Sequence, residues 1–168
     1  ALRMLDMAGI DFENTEVCAM ITDGEEAGLR GCKQWAKDHY DEYVNSGVET
    51  AVLCVDTLAD LEYLRVYNKD MTGTVKNSQQ FSQLVMDSAK DSGHNDLEFS
   101  SVYFGSSDAA AFSQAGITAT CLAAMDPKPA DYYHTRRDTA ERLVPEAIKT
   151  GFDVIISTIL NFDEKGLN

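Results

Sequence analysis

The chain has 168 residues, enough for one domain that buries most of its apolar surface without disulfide staples. With 44% hydrophobic and 25% charged residues it has a globular composition, and no apolar run nears the ~20 residues of a membrane-spanning helix. A net charge of −14 excludes the Lys/Arg patches that bind nucleic-acid phosphates and suits cations better.

In chain order, residues 1–9 read as the last turns of a helix stopped by Gly9. With no initiator Met, signal peptide or N-cap, the expectation is a single domain over 1–168 that forms the C-terminal portion of a longer catalytic domain. Residues 16–21 are β-branched and apolar and are expected to form a buried strand ending in Thr22-Asp23-Gly24. From Leu29, apolar positions Cys32, Ala36, Tyr40 and Tyr43 recur at helical spacing as far as Asn45-Ser46-Gly47. Residues 51–55 form a continuous apolar strand that stops on Asp56. Residues 62–67 alternate, and are expected to lie beside that strand, nearer an edge.

Residues 77–92 carry Phe81, Leu84, Val85 and Ala89 on one stripe, a second helix closed by Gly93. Residues 99–104 read as a strand leading into Gly105-Ser106-Ser107-Asp108, whose side chains suit the N-cap of a short helix over 109–114. Residues 117–122 are another strand. Pro127 and Pro129 then open an irregular loop. In the last helix Ile148, Phe152, Ile155, Ile156 and Ile159 are expected to share the buried face. Cys18, Cys32, Cys54 and Cys121 are widely spaced, read as buried thiols, and favour a reducing, cytoplasmic compartment. The alternation predicts an α/β fold, a three-layer αβα sandwich around a largely parallel, mixed sheet.

Ligand sites in such sheets lie at the carboxyl ends of the strands. There the chain places Asp23, Glu25 and Glu26 after the first strand, Asp56 after the second, Ser107 and Asp108 later, and Tyr133-His134 beyond residue 122. Singly, each has a plainer reading. Paired acids at a helix start compensate the dipole, a strand-terminal Asp caps a turn, and a loop His is exposed. Together, Glu, Asp and His are an N/O ligand set for zinc, and adjacent acids can divide into one ligand and one base.

The order Asp23-Gly-Glu-Glu-Ala-Gly-Leu-Arg-Gly31, Asp56 at a strand end, Gly105-Ser-Ser-Asp108 with Phe112, and Tyr133-His-Thr-Arg-Arg-Asp-Thr139 resembles the co-catalytic di-zinc aminopeptidase family. That family includes bacterial leucyl aminopeptidases and glutamate carboxypeptidase-like enzymes. The resemblance implies a zinc-exopeptidase fold and a peptide substrate. It implies Glu25 as general base, Glu26, Asp56 and His134 as metal ligands, and Tyr133 as a donor to the oxyanion. Asp108 would lie at the substrate pocket, although Ala109 stands where the family has a histidine. Asp138 would support the histidine from behind or cap a helix.

Family members also carry a His-x-Asp strand end and an Asp that bridges metals ~3.5–4 Å apart, both upstream of the helix that opens this chain. The resemblance therefore implies two zinc ions in the parent protein, none or one loosely held here, and an inactive fragment. His39 and His94 read as surface residues. Two related readings accompany this one: a single-zinc glutaminyl cyclase, and a non-catalytic binding domain like that of the transferrin-receptor branch.

Overall fold

The computed structural model describes residues 1–126, 128 and 131–167, so the prolines Pro127 and Pro129 of the expected loop lie outside the described residues. Among the described residues the α-helices are α1 (Leu2–Met7), α2 (Arg30–Asp38), α3 (Tyr40–Tyr43), α4 (Gln79–Asp91), α5 (Asp108–Gln114) and α6 (Pro145–Lys165). Among the same residues the strands are β1 (Ala51–Asp56), β2 (Leu64–Asp70), β3 (Val75–Lys76), β4 (Phe99–Ser101) and β5 (Thr118–Ala124). They form one mixed sheet in the order β1-β5-β2-β3, with β4 also on β2. The pairs β1/β5 and β2/β4 are parallel, and β5/β2 and β2/β3 antiparallel. Among the described residues, no helix is long and apolar enough to cross a membrane.

The sheet separates two helical layers. Alternation along β5 turns Ala119, Cys121 and Ala123 toward Leu29, Cys32 and Ala36 of the α2 region and Ala109–Phe112 of α5. Leu122 and Ala124 face the other way, with Leu64 and Val66, onto Phe81, Val85 and Ala89 of α4 and Val154 of α6. Burying a side chain such as Phe112 or Leu122 contributes about 1.5–3 kcal/mol. One polar contact crosses the second layer: Ser82 and Thr120 share a hydrogen bond of 2.7 Å between hydroxyls.

Helix ends follow local chemistry. Ser78 caps α4 by accepting from the Phe81 N–H, and Ser107 caps α5 by accepting from the Ala109 N–H. Pro145 opens α6, where a missing N–H costs nothing, and Gly166 (φ 62°) closes it.

Several expectations need correction. Residues 16–21 form no strand among the described residues, and Ile21 is 98% exposed. The helix expected from Leu29 onward breaks at His39 into α2 and α3. β2 lies inside the sheet, bonded to β5, β3 and β4, and is separated from β1 by β5. The buried face of α6 is Ala147, Thr150, Gly151, Val154 and Thr158. Ile148, Phe152, Ile155, Ile156 and Ile159 are only half-buried. Cys32 and Cys121 are buried, but Cys54 is partly exposed and Cys18 exposed.

Candidate active site

Four segments reach one rim of the sheet. The acidic turn is built by the backbone: the Gly24 carbonyl accepts from the N–H groups of Ala27 and Arg30, and the Glu25 carbonyl from those of Gly28 and Leu29. Gly31 lets α2 close against this turn, because a Cβ there would run into the Asp23 carbonyl oxygen. Asp56 ends β1, and its Oδ1 accepts from the Thr57 hydroxyl at 2.8 Å. His134 comes from the loop beyond β5, its Nε2 2.8 Å from Glu26 Oε1, both side chains exposed. Tyr133 stacks on that imidazole with ring centroids 3.8 Å apart.

Glu25 is the electrostatic centre of the group. Burial raises its pKa above the ordinary carboxylate value, and the charges of Glu26, Asp108 and Asp56 raise it further, while His134 lowers it. The Tyr133 phenol is likewise raised, by burial first and then by Glu26, Asp56 and Glu25. Glu25 thus lies near Glu26, Asp108, Asp56 and His134, and Tyr133 near Glu26, Asp56 and Glu25, while the direct contacts are those of His134 with Glu26 and Tyr133. Asp138 is exposed, its backbone N–H closing a turn onto the Thr135 carbonyl. His39 and His94 are remote: His39 pairs with Glu42 and stacks on Trp35, and His94 pairs with Asp153.

Two further residues organise the rim. The Thr22 hydroxyl donates to Asp108 Oδ2 at 2.7 Å, tying the acidic turn to the start of α5, while Asp108 Oδ1 is buried with no hydrogen-bond partner among the described residues. Asp70, fully buried, accepts from the Ser107 N–H (3.0 Å), the Ser107 hydroxyl (2.6 Å) and the Met71 N–H (2.8 Å). Asp70 therefore fixes Ser107, which caps the helix that carries Asp108. Sequence pattern gave no signal for either role, since a strand-terminal Asp and a Thr before a turn are ordinary.

The fit to a metal is incomplete. Glu26 and His134 have the right chemistry and already meet, but a catalytic zinc takes three protein ligands. Among the described residues, no three His, Cys, Asp or Glu side chains are grouped to hold a metal ion.

Residues 1–159 match the family model described as Peptidase family M28. Among solved structures the chain is similar to the LapA aminopeptidase of Legionella pneumophila: TM-score 0.67, 17% identity, covering 84% of this chain and 38% of that one. It is also similar to the glutaminyl cyclase of an Acidobacteriales bacterium: TM-score 0.64, 18% identity, covering 82% and 47%. A third is BSAP, a zinc aminopeptidase from Bacillus subtilis: TM-score 0.59, 22% identity, covering 80% and 33%. At these identities the likeness is one of fold, and the chain spans less than half of each protein's length. No curated protein matches it.

Proposed function

This chain belongs to peptidase family M28, and on that premise we propose that the protein is a zinc-dependent exopeptidase, an aminopeptidase hydrolysing N-terminal peptide bonds. The observation that carries the reading is the meeting of Glu26 Oε1 and His134 Nε2 at 2.8 Å directly beside Glu25, whose carboxyl pKa burial and the charges of Glu26, Asp108 and Asp56 raise. A carboxylate so raised is a better proton acceptor near neutral pH, as a general base for an attacking water requires. Tyr133, its phenol also raised, keeps its proton and is a hydrogen-bond donor for the oxyanion that develops at the scissile carbonyl. Asp108 bounds the substrate side of this rim through its link to Thr22.

Zinc is the metal of the similar Bacillus subtilis aminopeptidase. Glu26 and His134 would supply two donors to one zinc and Asp56 one to the other, and the remaining ligands are assigned to polypeptide outside residues 1–168. On this reading the 168-residue chain binds zinc weakly or not at all and is inactive by itself.

Calorimetric titration with zinc tests that part: weak or undetectable uptake by residues 1–168 is expected, and two tight sites would refute it. Hydrolysis of aminoacyl anilides by the longer protein tests the activity. Because the solved glutaminyl cyclase has the same fold, the assay includes glutaminyl peptides. Cyclisation without anilide hydrolysis would replace the peptidase reading.

A further inference from the structure

Cys54 and Cys121 stand directly opposite each other in the parallel ladder between β1 and β5. Alternation puts both side chains on the sheet face that meets α2 and α5, Cys54 beside Val52 on β1 and Cys121 between Ala119 and Ala123 on β5. The two thiols feel each other: Cys121 is fully buried, and its thiol is pushed well above the ordinary pKa, by its neighbour Cys54 first and by burial second. Cys54 is partly exposed, so it is the member of the pair that a small solute meets first.

A single buried cysteine is most simply a small apolar side chain. Two in register on one face can do more. Adjacent strands run about 4.7–4.9 Å apart, and a disulfide spans Cα separations of about 4.4–6.8 Å, so the two sulfurs can be joined without displacing either strand. Cys121 has only the methyl groups of Ala119 and Ala123 beside it along the strand, so a change of its rotamer meets no larger neighbour there. Cys32 packs into the same layer from α2, next to Thr22 and Asp108, but it has no register partner on the sheet. A zinc ion is a poor occupant of the pair, because among the described residues no three metal-ligating side chains are grouped.

We propose that Cys54 and Cys121 form a reversible redox pair, two thiols in the resting protein and a disulfide between β1 and β5 after reaction with hydrogen peroxide. The Cys54 sulfur attacks the peroxide O–O bond, becoming a sulfenic acid, and the expelled hydroxide takes up the thiol proton as water. The Cys121 sulfur then attacks the Cys54 sulfur, forming the S–S bond, and the sulfenic oxygen leaves with the Cys121 proton as a second water. The two thiols are oxidised by two electrons and peroxide is reduced by the same two. The strand spacing lies at the short end of the disulfide range, among the bridges more easily reduced, which suits a bond that reopens. Closure ties β1 to β5 two residues before the Asp56 rim. This inference does not depend on the peptidase reading, and its test involves no catalysis.

Mass spectrometry of the folded 168-residue chain after peroxide treatment decides it, with Cys18→Ser introduced to remove the exposed thiol. The monomer is expected to lose about 2 Da, a non-reducing digest to contain one peptide linking Cys54 to Cys121, and dithiothreitol to reverse both. Oxygen gained at Cys54 without a link, a link from either residue to Cys32, or thiols left intact at peroxide levels that oxidise Cys18 of the unsubstituted chain would each overturn the proposal. A second measurement uses dimedone, which traps sulfenic acids. In the same background Cys121→Ala is expected to raise dimedone labelling of Cys54 at least ~10-fold, because no thiol is left to displace its oxygen. Equal labelling with and without Cys121 would overturn its role as the partner. The first measurement changes neither cysteine of the pair, so it decides the question even where the Cys121 variant fails to fold.

Discussion

Asp70 offers the sharpest test of how the rim is held. Its carboxylate, fully buried at the end of β2, takes three donors: the Met71 N–H and the Ser107 N–H on Oδ1, and the Ser107 hydroxyl on Oδ2. Asp70→Ala leaves all three without an acceptor, at about 1–3 kcal/mol each. Taking the low end, because removing the charge also relieves its desolvation, the loss is ~3 kcal/mol, a large share of a domain's 5–15 kcal/mol or so. Asp70→Asn behaves differently. Its Oδ1 still accepts both N–H groups, and its amide donates to a Ser107 hydroxyl that can rotate, so the expected cost is ~1 kcal/mol. Urea unfolding of residues 1–168 at pH 7 measures both. A loss below ~1 kcal/mol for Asp70→Ala, or equal losses for the two variants, would refute the assignment of Asp70 as the anchor of Ser107.

Glu25→Gln bears on both stability and chemistry. A carboxyl raised in the folded state contributes stability below its unfolded pKa and loses it as pH rises through the folded value, so ionised Glu25 opposes folding at neutral pH. The variant should be more stable than the parent chain at pH 7 and indistinguishable from it in acid, while in the longer protein turnover vanishes with zinc content unchanged. Asp153 has the opposite sign. Lys149 chiefly, and His94 next, hold its pKa down, so its contribution is present above the unfolded pKa and lost as pH falls through the folded one. Asp153→Asn should therefore lower the melting temperature at pH 7 and not at pH 2. Gly31→Ala should cost about 1–3 kcal/mol, because its Cβ meets the backbone of Asp23 and cannot be relieved by a rotamer change. A melting temperature within a degree of the parent's would show that the turn yields.

What was legible in the sequence was whatever local chemistry determines. The cap at Ser107, the Pro145 start of α6 and the apolar runs that became β1 and β5 each announce themselves within a few residues. Pairing is not local, which is why β2 was expected beside β1 when β5, more than fifty residues later, lies between them. The hairpin to β3 was missed for a related reason. Its turn uses Met71 and Thr72 at positive φ before Gly73, and neither residue type signals that conformation. Residues 16–21 have strand chemistry but no partner among the described residues, so the expectation failed on context rather than on propensity.

The candidate site was legible through its acids and its histidine, yet the backbone that presents them breaks local rules. Among the described residues, five non-glycine residues have positive φ, and two of them belong to the β2–β3 hairpin. The other three border the rim: Leu29 (φ 59°) after the acidic turn, Thr57 (φ 46°) after Asp56, and His134 itself (φ 55°). Each such residue costs about 1–3 kcal/mol and persists only where surrounding contacts enforce it. The same rim brings Glu26, Asp108 and Asp56 close enough to raise the pKa of Glu25 beyond what burial does. Strain and like charge concentrated in one place oppose folding without adding to the core. That concentration is what a site organised for chemistry exhibits, and it weighs against reading the domain as a scaffold that has lost it.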